Sequence, residues 1–401
     1  MKAIAQLCWL GVVSVLAISS AVAQEWQGPV KLGVLNDQSG IYADLGGPGS
    51  VEAARMAIED FGGKVLGKPI ELMVADHQNK PDIGANIASR WYYNEGVDVV
   101  LDIPTSSVAL AVQHVARQAN RLVLFSSSTS SDLTGKDCSP NGAQWTIDTF
   151  SVAHSTGLAI VKSGGDSWFF ITADFAFGHA LERDTAEVVE KNGGKVLGSV
   201  RHPNNTNDFS SFLLQAQSSH AKIIALANAG GDTINAIKQA AEFRIGERQK
   251  LTALLMFISD VHSLGLAATQ GLLLTSAFYW DLNDETRAWS ERFYKRRGRM
   301  PTMTQAGVYS AVMHYLKAVQ VVGSKDPSKV MEQMRNTPIN DFMTKNGKLR
   351  KDGRVIRDLY LFEVKKPSES SRPWDYYKLI ATIPGDQAFR PLQAGGCPLV
   401  K

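Results

Sequence analysis

The chain has 401 residues, 44% of them hydrophobic and 20% charged, with 42 Lys and Arg against 39 Asp and Glu for a formal net charge of +3. That length exceeds one ordinary core and fits two domains of common size. The near balance of charge, with no basic stripe interleaved with aromatics, excludes nucleic acid as an expected partner.

The first predicted element is a leader. Lys2 opens it, an apolar run follows from Leu7 to Ile18, and Ala21-Val22-Ala23 precedes Gln24. This is the charged start, apolar middle and small-residue cleavage site of an exported chain, so residues 1–23 are expected to be removed. The run is too short, and too soon followed by polar chain, to span a bilayer. Cys8 lies inside the run and not at the cleavage point, which argues against a lipid anchor on it. No later stretch approaches the roughly 18 unbroken apolar residues of a spanning helix. Export makes a bound cytoplasmic cofactor such as ATP or NAD improbable, and no cofactor is expected.

Strands and helices then alternate. Val30–Leu35 reads as a strand, and Ser50–Phe61 as a helix with Val51, Ala54, Ile58 and Phe61 on one face. Strands are expected at Ile70–Ala75, Val97–Ile103 and Leu122–Phe125, and helices at Pro81–Asn94 and Ser107–Ala119. The pattern restarts with a helix at Thr149–Lys162. Strands follow at Trp168–Ile171, Lys195–Val200, Ile223–Ala227, Leu251–Met256 and Leu272–Thr275, with helices at Leu181–Lys191, Phe209–Ser218 and Thr233–Phe243. Three further helices, Glu285–Arg296, Thr304–Val322 and Pro327–Asn336, precede a long-looped antiparallel hairpin, Leu359–Val364 with Tyr376–Ile383, around the polar linker Lys365–Pro373. Alternation of this kind predicts two α/β units, each a mostly parallel sheet flanked by helices. Solutes bind such sheets at the carboxyl ends of the strands. If the chain passes between the units more than once, they form a hinged clamp around a central cleft.

Two cysteines remain after cleavage, Cys138 and Cys397. An oxidising compartment favours closing such a pair, so a Cys138–Cys397 disulfide is expected, with two free buried thiols as the alternative. Isolated cysteines without C-x-x-C spacing give no metal signal.

Four stretches spread along the chain carry a family resemblance. They are Lys31-Leu-Gly-Val-Leu-Asn-Asp-Gln-Ser-Gly40 with the following Gly46–Asp60, Ile70-Glu-Leu-Met-Val-Ala-Asp-His-Gln78, Phe125-Ser-Ser-Ser-Thr-Ser-Ser-Asp-Leu-Thr134, and Asp174-Phe-Ala-Phe-Gly178. Together they resemble the periplasmic solute-binding proteins of branched-chain amino acid type ABC transporters, which share the type I periplasmic binding fold. Phe278-Tyr-Trp-Asp281, Pro367-Ser-Glu-Ser370 and Pro373-Trp-Asp-Tyr-Tyr377 are similar to a branch associated with aromatic acids. The resemblance implies a periplasmic, two-lobed α/β protein with three crossover strands, placed near Thr146, Tyr279 and Leu349. Residues 27–146 and 282–348 then form an N-terminal lobe, and residues 147–281 and 349–401 a C-terminal lobe. It implies a small-molecule carboxylate ligand, permease and ATPase partners, and a monomer.

A small carboxylate needs hydroxyl and backbone N–H donors at a localised negative charge. Thr105, Ser106 and Ser107 follow the third strand, and Ser127, Ser128 and Thr129 the fourth. By resemblance these two loops hold the carboxylate, with Ser106, Ser127 and Thr129 foremost. Serine-rich loops also arise from turn and capping chemistry alone. Phe177 falls where relatives often carry tyrosine over the ligand, and here offers apolar or stacking contact. Tyr279 and Trp280 could wall the cleft and Tyr42 cover it, with hinge or core packing as the other role for these aromatics. An ammonium group would need an anion, for which Asp260 is the first candidate and Asp232 the second; either could instead cap a helix. Amino acid and plain carboxylate therefore both stay open, the aromatic crossover favouring a hydrophobic carboxylate.

Enzymatic motifs are missing: no G-x-S-x-G elbow, H-E-x-x-H, P-loop or G-x-G-x-x-G occurs. His77, His114, His154, His179 and His202 lack metal spacing. No enzymatic activity is expected. A sensor that hands its signal to a separate membrane protein is the other alternative.

Overall fold

The computed structural model describes Trp26 and residues 28–400, so the expected leader with its cleavage site and Cys8 lies outside the described residues. Six strands form the first sheet: β1 (Val30–Asn36), β2 (Lys64–Val65), β3 (Lys68–Asp76), β4 (Val99–Asp102), β5 (Leu122–Phe125) and β6 (Gly142–Gln144). Their order is β2-β3-β1-β4-β5-β6. All pairs from β3 to β6 are parallel, and β2 is an antiparallel edge. The strand sequences explain the layering. Val99, Leu101, Leu122 and Leu124 point into one core, and Val100, Val123 and Phe125 into the other. A parallel sheet covered on both faces requires such unbroken apolar runs.

The second sheet holds β7 (Ser167–Ala173), β8 (Lys195–His202), β9 (Ile223–Ala227) and β10 (Lys250–Ala253) in the order β10-β9-β7-β8, all parallel. A third, antiparallel sheet joins β11 (Leu273–Ser276) to the hairpin formed by two late strands, β14 (Leu359–Val364) and β15 (Tyr377–Ile383). Between them, β12 (Lys348–Leu349) and β13 (Val355–Ile356) make a two-stranded turn. This mixed α/β arrangement, parallel sheets flanked by helices, is the predicted class.

The chain returns to the first sheet after β11. The helix Met303–Val322 is buried along most of its length, as its mainly apolar sequence favours. Gln305 Nε2 donates to Gly46 O at 3.1 Å and Tyr309 OH to Asp60 Oδ2 at 2.7 Å, which fixes it against the helix Gly47–Asp60. Where β6 leaves the sheet, the fully buried Arg354 donates through Nη2 to Thr146 O at 2.6 Å and through Nε to Val355 O at 3.1 Å, clasping two remote segments. The Cys138–Cys397 disulfide is present and joins residues 259 apart in sequence.

Several elements differ from expectation in ways that matter for the site. The first helix starts at Gly47, not Ser50, because Pro48 is well placed in a first turn that needs no N–H. The helix expected from Leu181 starts at Ala176. A Cβ on Gly178 would lie 2.1 Å from Ala173 O, so only glycine lets this helix turn directly off β7. That early start puts Phe177 in the first turn. The strand expected at Leu251–Met256 stops at Ala253, and the chain turns into the unpredicted helix Ile258–Leu264. The helix from Pro81 is α-helical to Arg90 and closes in a wide turn over Trp91–Glu95, and Thr149–Lys162 is likewise interrupted over Ala153–Gly157. The short strands β6, β12 and β13 had no periodic signal long enough to read.

Candidate functional site

Both parallel sheets direct the carboxyl ends of their strands at one small cavity. From the first sheet, the loop after β1 supplies Tyr42 and Leu45, the loop after β4 supplies Pro104, and the loop after β5 supplies Ser127 and Thr129. From the second, Phe177 comes from the helix after β7, Ala229 from the loop after β9, and Leu255 and Phe257 from the loop after β10. The void these side chains leave is about 10 Å³. Its lining is apolar except for three hydroxyls, and no side chain that lines it carries a formal charge.

The hydroxyls differ in their commitments. Tyr42 OH donates to Asn204 Oδ1 at 3.3 Å. Burial, with Asp232 and Asp37 nearby, pushes this phenol well above its ordinary range, so it stays neutral. Ser127 Oγ donates to Asp102 Oδ1. Thr129 is 3% exposed, and its hydroxyl makes no hydrogen bond to another described residue. Its backbone O accepts from Thr149 N at 2.8 Å, which fixes the loop. Thr129 therefore presents an uncommitted donor to the cavity.

Beneath Ser127 lies Asp102, at the end of β4 with φ of +80° and no solvent exposure. Asn36 Nδ2 donates to its Oδ2 at 2.8 Å. Burial pushes the Asp102 carboxyl up, while the contacts of Ser127, Asn36 and Ser50 hold it back. Ser50 Oγ faces the same carboxylate without a hydrogen bond of regular geometry. Nothing in the sequence pattern marked Asp102, which ends an apolar run as many loop residues do.

The loop after β1 touches the helix start after β9 directly. Gly231 N donates to Ile41 O at 3.1 Å. Gly230 has φ of +59°, and a Cβ on it would lie 2.5 Å from Ile41 O, so this approach requires glycine. Farther along, Asp184 accepts from Ser131 Oγ at 2.7 Å and Thr149 Oγ1 at 2.6 Å, and Arg183 pairs with Asp132 at 3.2 Å.

Of the residues selected from sequence, the structure gathers Tyr42, Ser127, Thr129 and Phe177 around the cavity and leaves the others elsewhere. Ser106 Oγ accepts from Ser130 N at 3.2 Å and braces the neighbouring loop. Ser128 Oγ donates to Ile103 O, Thr105 Oγ1 donates to Asn79 Oδ1, and Ser107 is half-buried in the first turn of helix Ser106–Gln118. Asp232 accepts from Thr206 N at 2.8 Å and Asn205 N at 3.2 Å, and Asp260 accepts from Phe257 N at 2.9 Å. Both acids are backbone caps, and neither lines the cavity. Burial raises Asp232 to about 6 and Asp260 to about 7. Tyr279 OH and Trp280 Nε1 both donate to Trp374 O, at 3.2 and 2.8 Å, and pin the linker of the late hairpin instead of walling the cavity. Sequence reasoning missed Leu45, Pro104, Ala229, Leu255 and Phe257. The exit of β9 was as legible as that of β5, whereas the strand expected to Met256 hid the exit of β10 after Ala253. Small and apolar side chains there carried no chemical signal of their own.

Comparison with known proteins gives a consistent result. The family model described as periplasmic binding protein matches residues 29–370. A crystal structure of a periplasmic binding protein from Burkholderia mallei is 53% identical, covering 93% of this chain and 99% of that one, with a TM-score of 0.92. A branched chain amino acid ABC transporter periplasmic ligand-binding protein from Burkholderia xenovorans LB400 is 40% identical over 93% of this chain and 100% of that one, with a TM-score of 0.82. The Leu/Ile/Val-binding protein homolog 6 of Brucella melitensis is 23% identical over 380 residues, 90% of this chain and 94% of that protein. No helix among the described residues is long and apolar enough to cross a membrane.

Proposed function

The chain belongs to the periplasmic binding protein family, and within it we propose that it captures a small aromatic or otherwise hydrophobic carboxylate for import. The lining of the cavity carries this reading. Its polar groups are hydroxyls, with Thr129 uncommitted, and its walls are Phe177, Phe257, Leu45 and Leu255. Hydroxyl donors suit a carboxylate, and each such bond to a charged group is worth about 1.5–3 kcal/mol. The apolar walls suit a ring or a branched chain. The void between these side chains is about 10 Å³, so a solute has to part them on entry. An α-amino acid would also need an anion at its ammonium group, and neither Asp232 nor Asp260 lines the cavity.

Capture works by closure. One lobe comprises residues 27–146 and 282–348, the other residues 147–281 and 349–401, and a solute touching both shifts the population toward the closed form. The Ile41–Gly231 and Tyr42–Asn204 contacts are the kind that closure makes. The closed monomer is then read, in the periplasm after removal of residues 1–23, by a membrane permease whose partner ATPase supplies the energy. The 40%-identical relative named for a branched chain amino acid ABC transporter supports this partner class. The same relative favours a second reading, an amino acid as solute.

A thermal-shift screen of benzoate, phenylacetate, a branched 2-keto acid and leucine separates the two. A solute at 100 times its Kd stabilises the native state by about 2.7 kcal/mol and raises the melting temperature accordingly. Stabilisation by the acids without an amino group supports the proposal. Stabilisation by leucine alone rejects it for the second reading, and no response to any carboxylate removes both.

A further inference from the structure

The pairing of Ser127 with Asp102 sets a constraint on any carboxylate that enters the cavity. Ser127 has one hydroxyl proton, and it is donated to Asp102 Oδ1. A solute carboxylate placed against Ser127 needs that same proton. Two carboxylates would then sit on either side of one hydroxyl, among buried side chains.

The surroundings of Asp102 supply no positive charge to relieve this. From β1 it meets Asn36, whose Nδ2 donates at 2.8 Å. From the helix Gly47–Asp60 it meets Ser50, and from the loop after β5 it meets Ser127. Gly46 completes the enclosure, since a Cβ there would lie 3.2 Å from Asp102 Oδ2, 3.4 Å from Ser50 Oγ and 3.6 Å from Ser127 Oγ. No Lys, Arg or His among the described residues forms an ion pair with Asp102. The other titratable groups at the site are committed elsewhere. Asp37 accepts from Gly40 N, Tyr42 N and Asn79 Nδ2, Asp232 caps residues 205–206, and Tyr42 stays neutral.

We propose that capture of a solute carboxylate at Ser127 is coupled to uptake of one proton by Asp102, which makes Asp102 a positioning residue and a pH sensor for binding. The proposal rests on the carboxylate reading of the cavity. With Asp102 neutral, its Oδ1–H donates to Ser127 Oγ, and the Ser127 hydroxyl turns its own proton to the solute. The proton comes from solvent and returns there on release, and no covalent bond other than the Asp102 O–H forms or breaks. A carboxyl that burial already raises above its ordinary range is suited to this change.

The sign follows by linkage. Binding that takes up a proton weakens as pH rises above the pKa of Asp102 in the free protein, by up to about tenfold per pH unit. Calorimetric titration with benzoate and with leucine, at pH 5.5, 6.5 and 7.5 in two buffers of different ionisation enthalpy, reads the proton count directly on the wild-type chain. Close to one proton taken up at pH 7.5 is expected for whichever probe binds. Asp102→Asn supplies a permanent N–H at the same place, so it should abolish the uptake, flatten the pH profile and raise affinity at pH 7.5 at least threefold. If Asp102→Asn does not fold, the wild-type proton count still decides. Measurable binding with no proton uptake overturns the proposal while leaving the carboxylate reading intact, as does a pH dependence that survives in a folded Asp102→Asn. Binding of neither probe at any of the three pH values overturns the carboxylate reading and the proposal with it.

Discussion

Thr129→Val separates binding from folding at one atom. Valine keeps the shape of threonine and removes only the hydroxyl, which makes no hydrogen bond to another described residue and lines the cavity. Folding therefore loses no internal bond, and stability should hold or rise by up to about 1–3 kcal/mol, because burying a hydroxyl without a partner costs about that much. Binding loses a donor to a charged group, about 1.5–3 kcal/mol. At about 1.4 kcal/mol per tenfold, affinity should fall roughly 12- to 140-fold. Ser127→Ala is the contrast: it removes a donor from the buried Asp102 carboxylate and should lower stability as well, by about 1–3 kcal/mol. Calorimetry with the tightest carboxylate gives the first quantity, and urea unfolding the second. Thr129→Val with affinity within twofold of wild type would take that hydroxyl out of the site and refute the assignment of its role.

Three further outcomes are open to measurement. The Cys138–Cys397 bridge closes a separation of 259 residues, for which chain entropy sets a ceiling of about 5–6 kcal/mol and native bridges commonly return about 2–5. Cys138→Ser with Cys397→Ser should lose that amount in urea unfolding, and a loss below about 1 kcal/mol would show that the Arg390–Ser131 and Arg350–Arg390 hydrogen bonds alone hold the C-terminal segment. Phe177→Leu keeps the apolar volume and removes the ring, so affinity for benzoate should fall about 2- to 12-fold, with a smaller effect on an aliphatic acid; an equal effect on both would rule out ring stacking. Asp260 is raised to about 7 by burial, above its unfolded value, so its contribution to stability is fully present below about pH 4 and is lost as pH rises through 7. Asp260→Asn should therefore gain on wild type with rising pH by up to about 1.4 kcal/mol per unit in that window, read from thermal unfolding at pH 5, 6, 7 and 8, and a constant difference would contradict it.

Much of the fold was legible because it rests on periodicity. Apolar runs such as Val99–Leu101 and Leu122–Phe125 have nowhere to go but a sheet covered on both faces, and the helices between them repeat at helical spacing. The late hairpin and the cysteine pair were legible for similar reasons. Elements of two or three residues, such as β6 and β12, were not, since no period fits so short a span. The helix start at Ala176 was hidden as well, because it depends on contact between Gly178 and Ala173.

For the site, residue type and spacing were enough to show where chemistry could occur: hydroxyl-rich loops at strand exits, an aromatic before Gly178, an α/β chain. These are properties of residue type and spacing, and they are carried by the chain before it folds. Which of those groups share a cavity depends on how the folded chain brings remote loops together. Six loops far apart in sequence converge there, Asp232 and Asp260 turn to backbone N–H groups, Tyr279 and Trp280 turn to Trp374, and Asp102 comes to lie under Ser127. A hydrogen-bonding side chain satisfies the nearest partner in space, and that partner is fixed by the packing of remote segments, which no local pattern records.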